Sequence, residues 1–422
     1  MFSFGALARN TLWMILGQGM RLLVQFAYFV LIARVLHRDG YGAFSGAVAL
    51  VAVLAPFAGW GSGNLLVKNV ARNPASFSLY WGRAIVVTAL SAGLLTVLAL
   101  ALAWVVLPAS VPLTMVLWVA ISDLFFTRLS EAEALAFQAV HRLFKTAVLS
   151  ILYSLAKLVG VLLLLRLRTV DALIVWSLLY LAGSAAVAFI GAVWVSLELG
   201  MPRWDLEGWR REFGEGFYFA SSLSAQRIYL DSDKALLPRL ASLEAAGIYT
   251  AAARIVEVAF VPVSSLLAAA YARFFTSGQE GVRGTLALSR RLLPVAILYA
   301  AVAGLLLYVL APFVPWLLGA EFSEAAEAIR WLAAVPLLMT LHRFAADSLT
   351  GADQQASRTH IEFGAAALNV ALNLAVVPFF SWRGTAAVTL LTELILVTAL
   401  AFALRHHMKL PGPSSEGVHG RG

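Results

Sequence analysis

Hydrophobic residues follow one another along this chain in long runs, separated by short polar stretches, from about residue 10 to residue 405. In the strands of a membrane barrel, polar residues recur at every second position. The runs of this chain lack that alternation. A run of about 20 apolar residues has the length of a helix that crosses the hydrocarbon core, and a helix satisfies its own backbone hydrogen bonds there. The pattern therefore predicts an all-α polytopic membrane protein.

About twelve transmembrane helices are predicted. They lie at residues 10–36, 41–66, 84–107, 113–137, 146–165, 171–197, 214–238, 245–272, 287–318, 324–350, 359–380 and 384–405. The longest hydrophilic stretch follows the sixth span and divides the chain almost in half. We therefore expect an N-terminal six-helix bundle at 1–197, a cytoplasmic connecting segment at 198–213, a C-terminal six-helix bundle at 214–405 and a cytoplasmic tail at 406–422.

Composition agrees with a membrane protein. Of 422 residues, 61% are hydrophobic and 13% are charged, whereas a soluble domain has about 25% charged residues. Basic residues are concentrated in alternate loops, which places both termini in the cytoplasm, because cytoplasmic loops retain Lys and Arg. The net charge of +8 is thus a topology signal, and no nucleic-acid partner is expected. The chain has no cysteine, so it has no disulfide and no thiolate metal site.

The two halves share a short motif, G-x-[FY]-[ST]-x-A, at residues 42–47 and 247–252. Arg21 and Arg227 precede the glycines of these motifs by 21 and 20 residues. Glycines in membrane helices commonly mark close packing. Since six predicted spans separate the copies, both halves enter the membrane from the same side, as in parallel repeats that bind substrate at their interface. We therefore expect a pseudo-symmetric pair of bundles.

Arg21 and Arg227 lie near the middle of the first and seventh predicted spans. An arginine fork suits phosphate oxygens, so a pair of arginines in a water-filled cavity would hold a pyrophosphate or an acidic sugar. The alternative is that the arginines form ion pairs: Arg227 with Asp231 and Arg254 with Glu257, each along one helix, and Arg21 with a carboxylate on another helix. The full set of predicted substrate-binding residues is Arg21, Arg227, Arg254 and Arg343, with Gln18, Gln25 and Gln226 for sugar hydroxyls.

Four acids within or near predicted spans are candidates for ion or proton coupling. They are Asp123, Asp231, Glu257 and Glu393. Loss of hydration favours the protonated form of a carboxyl, so each of these acids can exchange a proton during transport. Lys157 is either a cavity cation or an internal partner for Asp123. His342 is a further candidate, since histidine is the side chain that most often exchanges a proton at physiological pH; the alternative is a histidine that only forms ordinary hydrogen bonds. The sequence does not choose between H⁺, Na⁺ and substrate supply as the driving force.

No nucleotide-binding loop, no HExxH and no Cys/His cluster with metal spacing occurs in the sequence. We therefore expect neither ATP hydrolysis nor a cofactor nor a metal site, and the chain is expected to be a transporter and not an enzyme.

Two stretches carry a resemblance to a known family. They read ARNTLWMILGQGMRLLVQFAYFVLIARVLHRDGYGAFSGAVALV and RIYLDSDKALLPRLASLEAAGIYTAAARIVEVAFVPVSSLL. Together with the twelve spans, they resemble the lipid-linked oligosaccharide flippases of bacterial surface polysaccharide pathways, such as O-antigen and lipopolysaccharide synthesis. These belong to the multidrug, oligosaccharidyl-lipid and polysaccharide exporter superfamily. The resemblance implies two six-helix bundles forming a V around a cationic cavity.

The resemblance also implies a function. The substrate would be an undecaprenyl-diphosphate-linked oligosaccharide, moved from the cytoplasmic to the periplasmic leaflet of the bacterial inner membrane. Polysaccharide assembly enzymes would be further partners.

Other functions remain open at this stage. Cation-coupled multidrug antiporters of the same superfamily commonly use an acid in the first helix, where this chain has Arg21. The similar peptidoglycan-precursor flippases usually have fourteen spans. A polysaccharide polymerase or ligase would need a large outer loop, and the predicted outer loops are short. A non-transporting scaffold would recruit enzymes through residues 197–215 and would leave the charges at membrane depth unexplained.

Overall fold

The computed structural model describes residues 4–140, 142–167, 171–205, 224, 227–228 and 230–409, without the side chains of 4–20, 143, 272 and 409. Helices, joined by short turns, make up the described part, which contains no strand. The chain divides into two compact units, Met1–Gly247 and Ile248–Gly422. They are called unit 1 and unit 2 below. The predicted connecting segment falls largely on residues 206–213, outside the described residues.

Unit 1 is built from long apolar helices. They are α1 (Phe4–Leu54), α2 (Ser62–Arg72), α3 (Phe77–Val106), α4 (Leu113–Ala120), α5 (Thr127–Ala139), α6 (Leu143–Leu167), α7 (Ala172–Leu199), α8 (residues 230–240) and the first turn of α9 (Leu243–Gly278). A π-helical turn, Ile121–Phe126, joins α4 to α5, so these three pieces form one continuous predicted span.

In place of the loop predicted between the first and second spans, at residues 37–40, the chain has only a kink within helix α1. Helix α1 covers the first predicted span and part of the second, and it is broken at His37, whose φ of 58° and ψ of 173° are not helical. The second span, predicted as continuous, is interrupted after Leu54. Pro56 lacks the N–H that would continue the helix, and Gly59 and Gly61 then adopt φ of 80° and 69° before α2 begins.

The core of unit 1 lies where α2, α3, α5 and α7 meet. Its buried residues are Leu66, Val70, Phe77, Trp81, Ala84, Leu129, Ala132, Ala136, Phe137, Ala139, Leu149, Ala188 and Val195. Beyond the end of α7, residues 200–205 lie on α3, where the Arg203 N–H donates to the Ser78 carbonyl at 2.8 Å. The Arg83 Nε donates to the Asp205 carbonyl at 3.1 Å. The start of the connecting segment is therefore held on the bundle.

Unit 2 repeats the all-helical plan. Its helices are the remainder of α9 (Leu243–Gly278), α10 (Gly281–Leu310), α11 (Val314–Leu318), α12 (Ser323–Leu332), α13 (Val335–Gly351) and α14 (Gln355–Lys409). Helix α14 contains the last two predicted spans and is broken between them at Ser381, with φ of 54° and ψ of −142°. Asn369 Nδ2 donates to Thr392 Oγ1 at 3.1 Å and so joins the two halves of α14.

Eight helices of the described part are long and apolar enough to cross a membrane. Since the first (Arg21–Arg72) and the last (Gln355–Met408) each hold two predicted spans, the eight account for ten of the twelve. The tenth predicted span, 324–350, is divided between the shorter helices α12 and α13. The seventh predicted span falls partly outside the described residues, so the count of twelve stays a prediction. On α10, Leu298, Leu305 and Val309 are exposed, as side chains that face lipid are. The prediction of an all-α polytopic membrane protein is confirmed.

Candidate functional site

Arg21 on α1 is a basic residue within an apolar predicted span. Arg21 is half-buried, and in the part of the chain that the structure describes no carboxylate forms an ion pair with it. Gln25, one turn further on, is also half-buried. The side chains of Gln18 and Gln226 lie outside the described residues. Inserting a charged side chain at the centre of a membrane helix costs about 2.5–3.5 kcal/mol. Among the described residues, no ion pair offsets this cost for Arg21.

Arg227, the counterpart of Arg21 in the repeat, is partnered. Its guanidinium lies 3.5 Å from the Asp231 carboxylate, one helical turn away. Lys234 Nζ lies 3.3 Å from the other oxygen of Asp231. One carboxylate therefore faces two cations, and Asp233, next to Lys234 along α8, is a second buried acid close to them.

The two motif glycines contact each other's helices. A Cβ atom on Gly42 would lie 2.8 Å from the Gly247 nitrogen, and one on Gly247 would lie 2.9 Å from the Arg38 carbonyl carbon. Glu244 forms an ion pair with Arg38 beside this crossing. The close packing expected of the motif glycines is therefore present within unit 1, at the crossing of α1 with the first turn of α9.

Further along α1, its residues contact α8 and Ser224. Ser224 Oγ donates to the Val53 carbonyl at 3.0 Å, and a Cβ on Gly46 would lie 2.7 Å from Pro238. The segment 224–247 therefore runs antiparallel to residues 42–53 of α1. This packing fixes the position of the Arg227–Asp231–Lys234 cluster relative to α1.

Asp123 lies in the π-helical turn and is the acceptor of a buried polar network. Tyr180 donates its hydroxyl to Asp123 Oδ1 at 2.8 Å, and Lys157 Nζ donates to the Tyr180 oxygen at 2.9 Å. Thr127 Oγ1 lies 3.3 Å from the same carboxylate oxygen and also bonds Tyr153. The predicted partnership of Lys157 with Asp123 thus runs through a tyrosine hydroxyl. π-Helical turns occur frequently at functional sites.

Lys157 is also held by the two tyrosine rings. Its ammonium lies 4.6 Å from the centre of the Tyr153 ring and 4.5 Å from that of Tyr180, within the range of cation–π attraction. The two tyrosines were not singled out from the sequence, and the position of Tyr180 relative to Lys157 depends on how α6 and α7 pack. A signal was available, since Tyr153 precedes Lys157 by one helical turn on α6.

Replacing Tyr180 by phenylalanine is expected to lower stability. The change removes the hydroxyl that links Lys157 to Asp123, and a hydrogen bond to a charged group contributes about 1.5–3 kcal/mol. Thermal unfolding in detergent measures the effect. Tyr249→Phe is the matched control, because the hydroxyl of Tyr249 forms a hydrogen bond with a neutral group, the Thr389 hydroxyl, at 2.9 Å. An equal loss in both variants would contradict a charged network at Tyr180.

In unit 2, Arg254 and Glu257 pair along α9 at 3.0 Å, and both side chains are exposed. This is the pairing that their spacing predicts. Arg343 on α13 is half-buried, and no carboxylate pairs with it in the described part of the chain. Asp347, on the same helix, instead pairs with Arg358 at 3.3 Å. Arg343 still lies near enough to Asp347 for the two charges to attract each other.

Glu393 contacts a histidine on another helix. His342 Nδ1 lies 2.6 Å from Glu393 Oε2, and each side chain is 3% exposed. The sequence identified both residues separately but gave no reason to join them, because they are 51 positions apart. A buried imidazole–carboxylate pair can hold or pass a proton. The described residues contain no cluster of three or more His, Asp or Glu side chains arranged to bind a metal ion.

Comparison with known proteins agrees with this architecture. The profile of a family described as polysaccharide biosynthesis proteins matches residues 7–277. No curated protein matches. An inward-facing multidrug resistance MATE transporter of the MOP superfamily superposes with a TM-score of 0.74 at 12% identity, covering 92% of this chain and 96% of that one.

Two further solved structures share the fold. The lipid II flippase MurJ has a TM-score of 0.71 at 13% identity, covering 94% of this chain and 87% of that chain. A MOP superfamily transporter from Pyrococcus furiosus has a TM-score of 0.64 at 12% identity, covering 96% of each chain. At these identities the likeness concerns the fold. The protein has the fold of a MOP superfamily transporter, and the chain belongs to the polysaccharide biosynthesis protein family.

Proposed function

We propose that this protein is a flippase that moves undecaprenyl-diphosphate-linked oligosaccharide repeat units from the cytoplasmic to the periplasmic leaflet by alternating access. The product would enter surface polysaccharide, for example O-antigen of lipopolysaccharide. Membership of a polysaccharide biosynthesis family supports a glycan cargo. The fold shared with a lipid II flippase supports a lipid-linked one.

The observation that carries the proposal is the half-buried guanidinium of Arg21 on α1, which has no described counter-ion. An unpaired cation inside a membrane protein is costly and is retained where it binds something. The diphosphate of the lipid carrier offers the oxygens that an arginine fork bonds best. An organic cation, in contrast, would be repelled by Arg21.

The remaining predicted residues extend this site. Arg227 and Arg343 would add positive charge for the diphosphate or an acidic glycan, and the exposed Arg254 would do so at the surface of α9. Gln18, Gln25 and Gln226 would bond sugar hydroxyls.

We assign proton or sodium coupling to four acids that have polar partners. Asp123 bonds Tyr180, which in turn bonds Lys157, and Glu393 contacts His342. Asp231 and Glu257, which pair with arginines on their own helices, are the other two. We place the protein in the bacterial inner membrane with both termini in the cytoplasm and with polysaccharide assembly enzymes as partners.

Translocation in proteoliposomes tests the proposal. The probe is a fluorescent lipid-diphosphate oligosaccharide, and its accessibility to a membrane-impermeant quencher is followed over time. We expect flipping by the reconstituted protein, inhibition by an unlabelled lipid-diphosphate oligosaccharide, and no flipping in empty liposomes. Absence of flipping from folded protein over a panel of glycans, with the carrier lipid held constant, would reject the proposal.

A cation-coupled antiporter of small molecules is the second candidate, favoured by the likeness to a multidrug MATE transporter. The same proteoliposomes distinguish it. Uptake of a fluorescent organic cation driven by a proton or sodium gradient, without flipping of the lipid probe, would support the antiporter. Flipping without cation uptake would support the flippase.

A further inference from the structure

Glu133 on α5 is the one acid of unit 1 that the sites described above do not use and that is completely buried in the described structure, at 0% exposure. Neither carboxyl oxygen has a hydrogen-bond partner within the described residues. Its neighbours along α5, Ala132, Ala136 and Phe137, all belong to the hydrophobic core of unit 1. An acid has therefore been placed at the centre of an apolar cluster.

The opposite helix makes room for this carboxyl. A Cβ on Gly191 of α7 would lie 2.6 Å from the Glu133 carboxyl carbon, so the carboxyl occupies the space that a side chain there would fill. Ala188 and Val195, which share that face of α7 with Gly191, are core residues too. The Glu133 carboxyl therefore occupies a space between α5 and α7 that is lined by apolar residues and that exists because residue 191 is glycine.

The charged groups on neighbouring elements do not compensate Glu133. Helix α5 packs against α2, α3, α6, α7 and the π-helical turn. Besides Glu133, the charged and titratable groups on these elements and on α5 itself are Lys68, Arg72, Tyr80, Arg83, Asp123, Arg128, Glu131, Lys145, Tyr153, Lys157, Arg166, Tyr180 and Glu198. Arg83 bonds the Asp205 carbonyl, Arg128 pairs with Glu131 at 2.7 Å, and Lys145 pairs with Glu198. None of the thirteen forms a described hydrogen bond with the Glu133 carboxyl.

The ligand that fits this site is a proton. A carboxylate without a partner in an apolar interior is strongly disfavoured, and such a group takes up a proton and becomes neutral. A metal ion would require several oxygen or nitrogen ligands, and only one carboxyl is present. Buried ionisable groups in membrane helices commonly form part of proton pathways.

We propose that Glu133 is a proton-binding site: it carries a proton in this conformation and releases it to cytoplasmic water during the transport cycle. On release the carboxyl O–H bond breaks, the electron pair stays on the carboxylate, and the proton goes to a water molecule. Glu133 precedes the end of α5 at Ala139 by six residues, which is about 9 Å along the helix axis. The charge bias of the loops places that end at the cytoplasmic face. The role in transport rests on the proposed flippase function, whereas the bound proton does not.

Infrared difference spectroscopy tests the bound proton directly. The carbonyl stretching band of a protonated carboxylic acid is recorded for wild type and for Glu133→Gln in lipid at neutral pH. We expect wild type to show a band that is absent from Glu133→Gln. Glu131→Gln is the matched control, since Glu131 is two residues away and exposed, and it should leave the band in place. If Glu133→Gln and wild type give the same carboxylic-acid region, Glu133 is ionised and the proposal is overturned.

Wild type alone gives a second measurement that needs no folded variant. The band should persist at neutral pH and disappear on alkaline titration as the O–H bond is lost. Its absence at neutral pH would also overturn the proposal.

The transport role is tested by flipping under a pH gradient. We expect an acidic exterior to accelerate flipping by wild type and by Glu131→Gln, and to have no effect on Glu133→Gln. An undiminished response of Glu133→Gln would overturn the coupling role. Failure of wild type to flip the lipid probe at all would count against the proposed function, while the infrared result would still decide whether Glu133 carries a proton.

Discussion

Replacing Gly42 by alanine is expected to cause the largest loss of stability among single methyl additions in unit 1. The new Cβ would lie 2.8 Å from the Gly247 nitrogen and closer still to the Leu243 carbonyl oxygen. Both obstacles are backbone atoms, so no side chain can turn away, and the helix crossing itself must open. Adding a methyl group to a packed interior costs about 1–3 kcal/mol and occasionally more, and we expect the upper end here.

The measurement is the thermal unfolding midpoint in detergent, with Gly93→Ala as the matched control. Gly93 also lies in a helix of unit 1, and a Cβ there would meet no atom within 4 Å. Alanine at Gly93 should therefore be neutral or stabilising by up to ~1 kcal/mol, because it is the better helix former. Equal stability of the Gly42 and Gly93 variants would mean that the close crossing does not form in the folded protein.

The helices were predictable because their cause is local. A run of apolar residues is sufficient to define a span, and the breaks at His37 and Ser381 lie at or between predicted span ends. The interruption after Leu54 was not predicted. Apolar residues continue past it in the sequence, and only the combination of Pro56 with the left-handed Gly59 and Gly61 ends the helix there.

Contacts between side chains were predictable only within one helix. Spacing predicts the pairs Arg227–Asp231 and Arg254–Glu257, and both are present. The Glu393 contact with His342 joins residues far apart in sequence and depends on the rotation of two helices. Periodicity does not supply that rotation.

The burial of Glu133 was also indicated by the sequence, through the apolar residues around it on α5, but we did not predict it. Glu133 stands close to Arg128 and Glu131, which suggests an exposed helix end. Its neighbours three and four residues before and after on the same face include Leu129, Ala136 and Phe137, which form an apolar stripe. An acid centred in such a stripe is either neutral or paired, and the structure offers it no described pair.

Removing the charge of Arg21 is expected to have the largest effect on function. Arg21→Ala should weaken binding of a lipid-diphosphate oligosaccharide by roughly 10- to 150-fold, the equivalent of losing one charge-assisted hydrogen bond of about 1.5–3 kcal/mol. Arg21→Lys should recover part of this loss, because it restores the charge but not the fork. Arg227→Ala should have a smaller effect than Arg21→Ala, since Arg227 already shares Asp231 with Lys234.

Binding of the fluorescent lipid is measured in detergent, and its flipping is measured in proteoliposomes at equal reconstituted amounts. Arg273→Ala, which removes an exposed arginine at a predicted cytoplasmic loop, is the control for loss of net charge and should bind normally. Inorganic pyrophosphate should compete with the lipid for wild type and compete poorly for Arg21→Ala. Unchanged binding by Arg21→Ala would remove Arg21 from the substrate site.

The stability of the substrate-free protein is a second test of Arg21. Arg21→Ala should change the unfolding midpoint in opposite directions depending on whether Arg21 binds substrate or pairs with a buried carboxylate. If Arg21 is kept for substrate, its charge is a cost to the substrate-free protein, and Arg21→Ala should raise the unfolding midpoint, as happens where function opposes stability. If Arg21 instead neutralises a buried carboxylate, its removal leaves that charge unpaired and the midpoint should fall, because breaking a buried pair costs about 3–5 kcal/mol. A higher midpoint together with weaker binding is the combination that only a substrate-binding arginine produces.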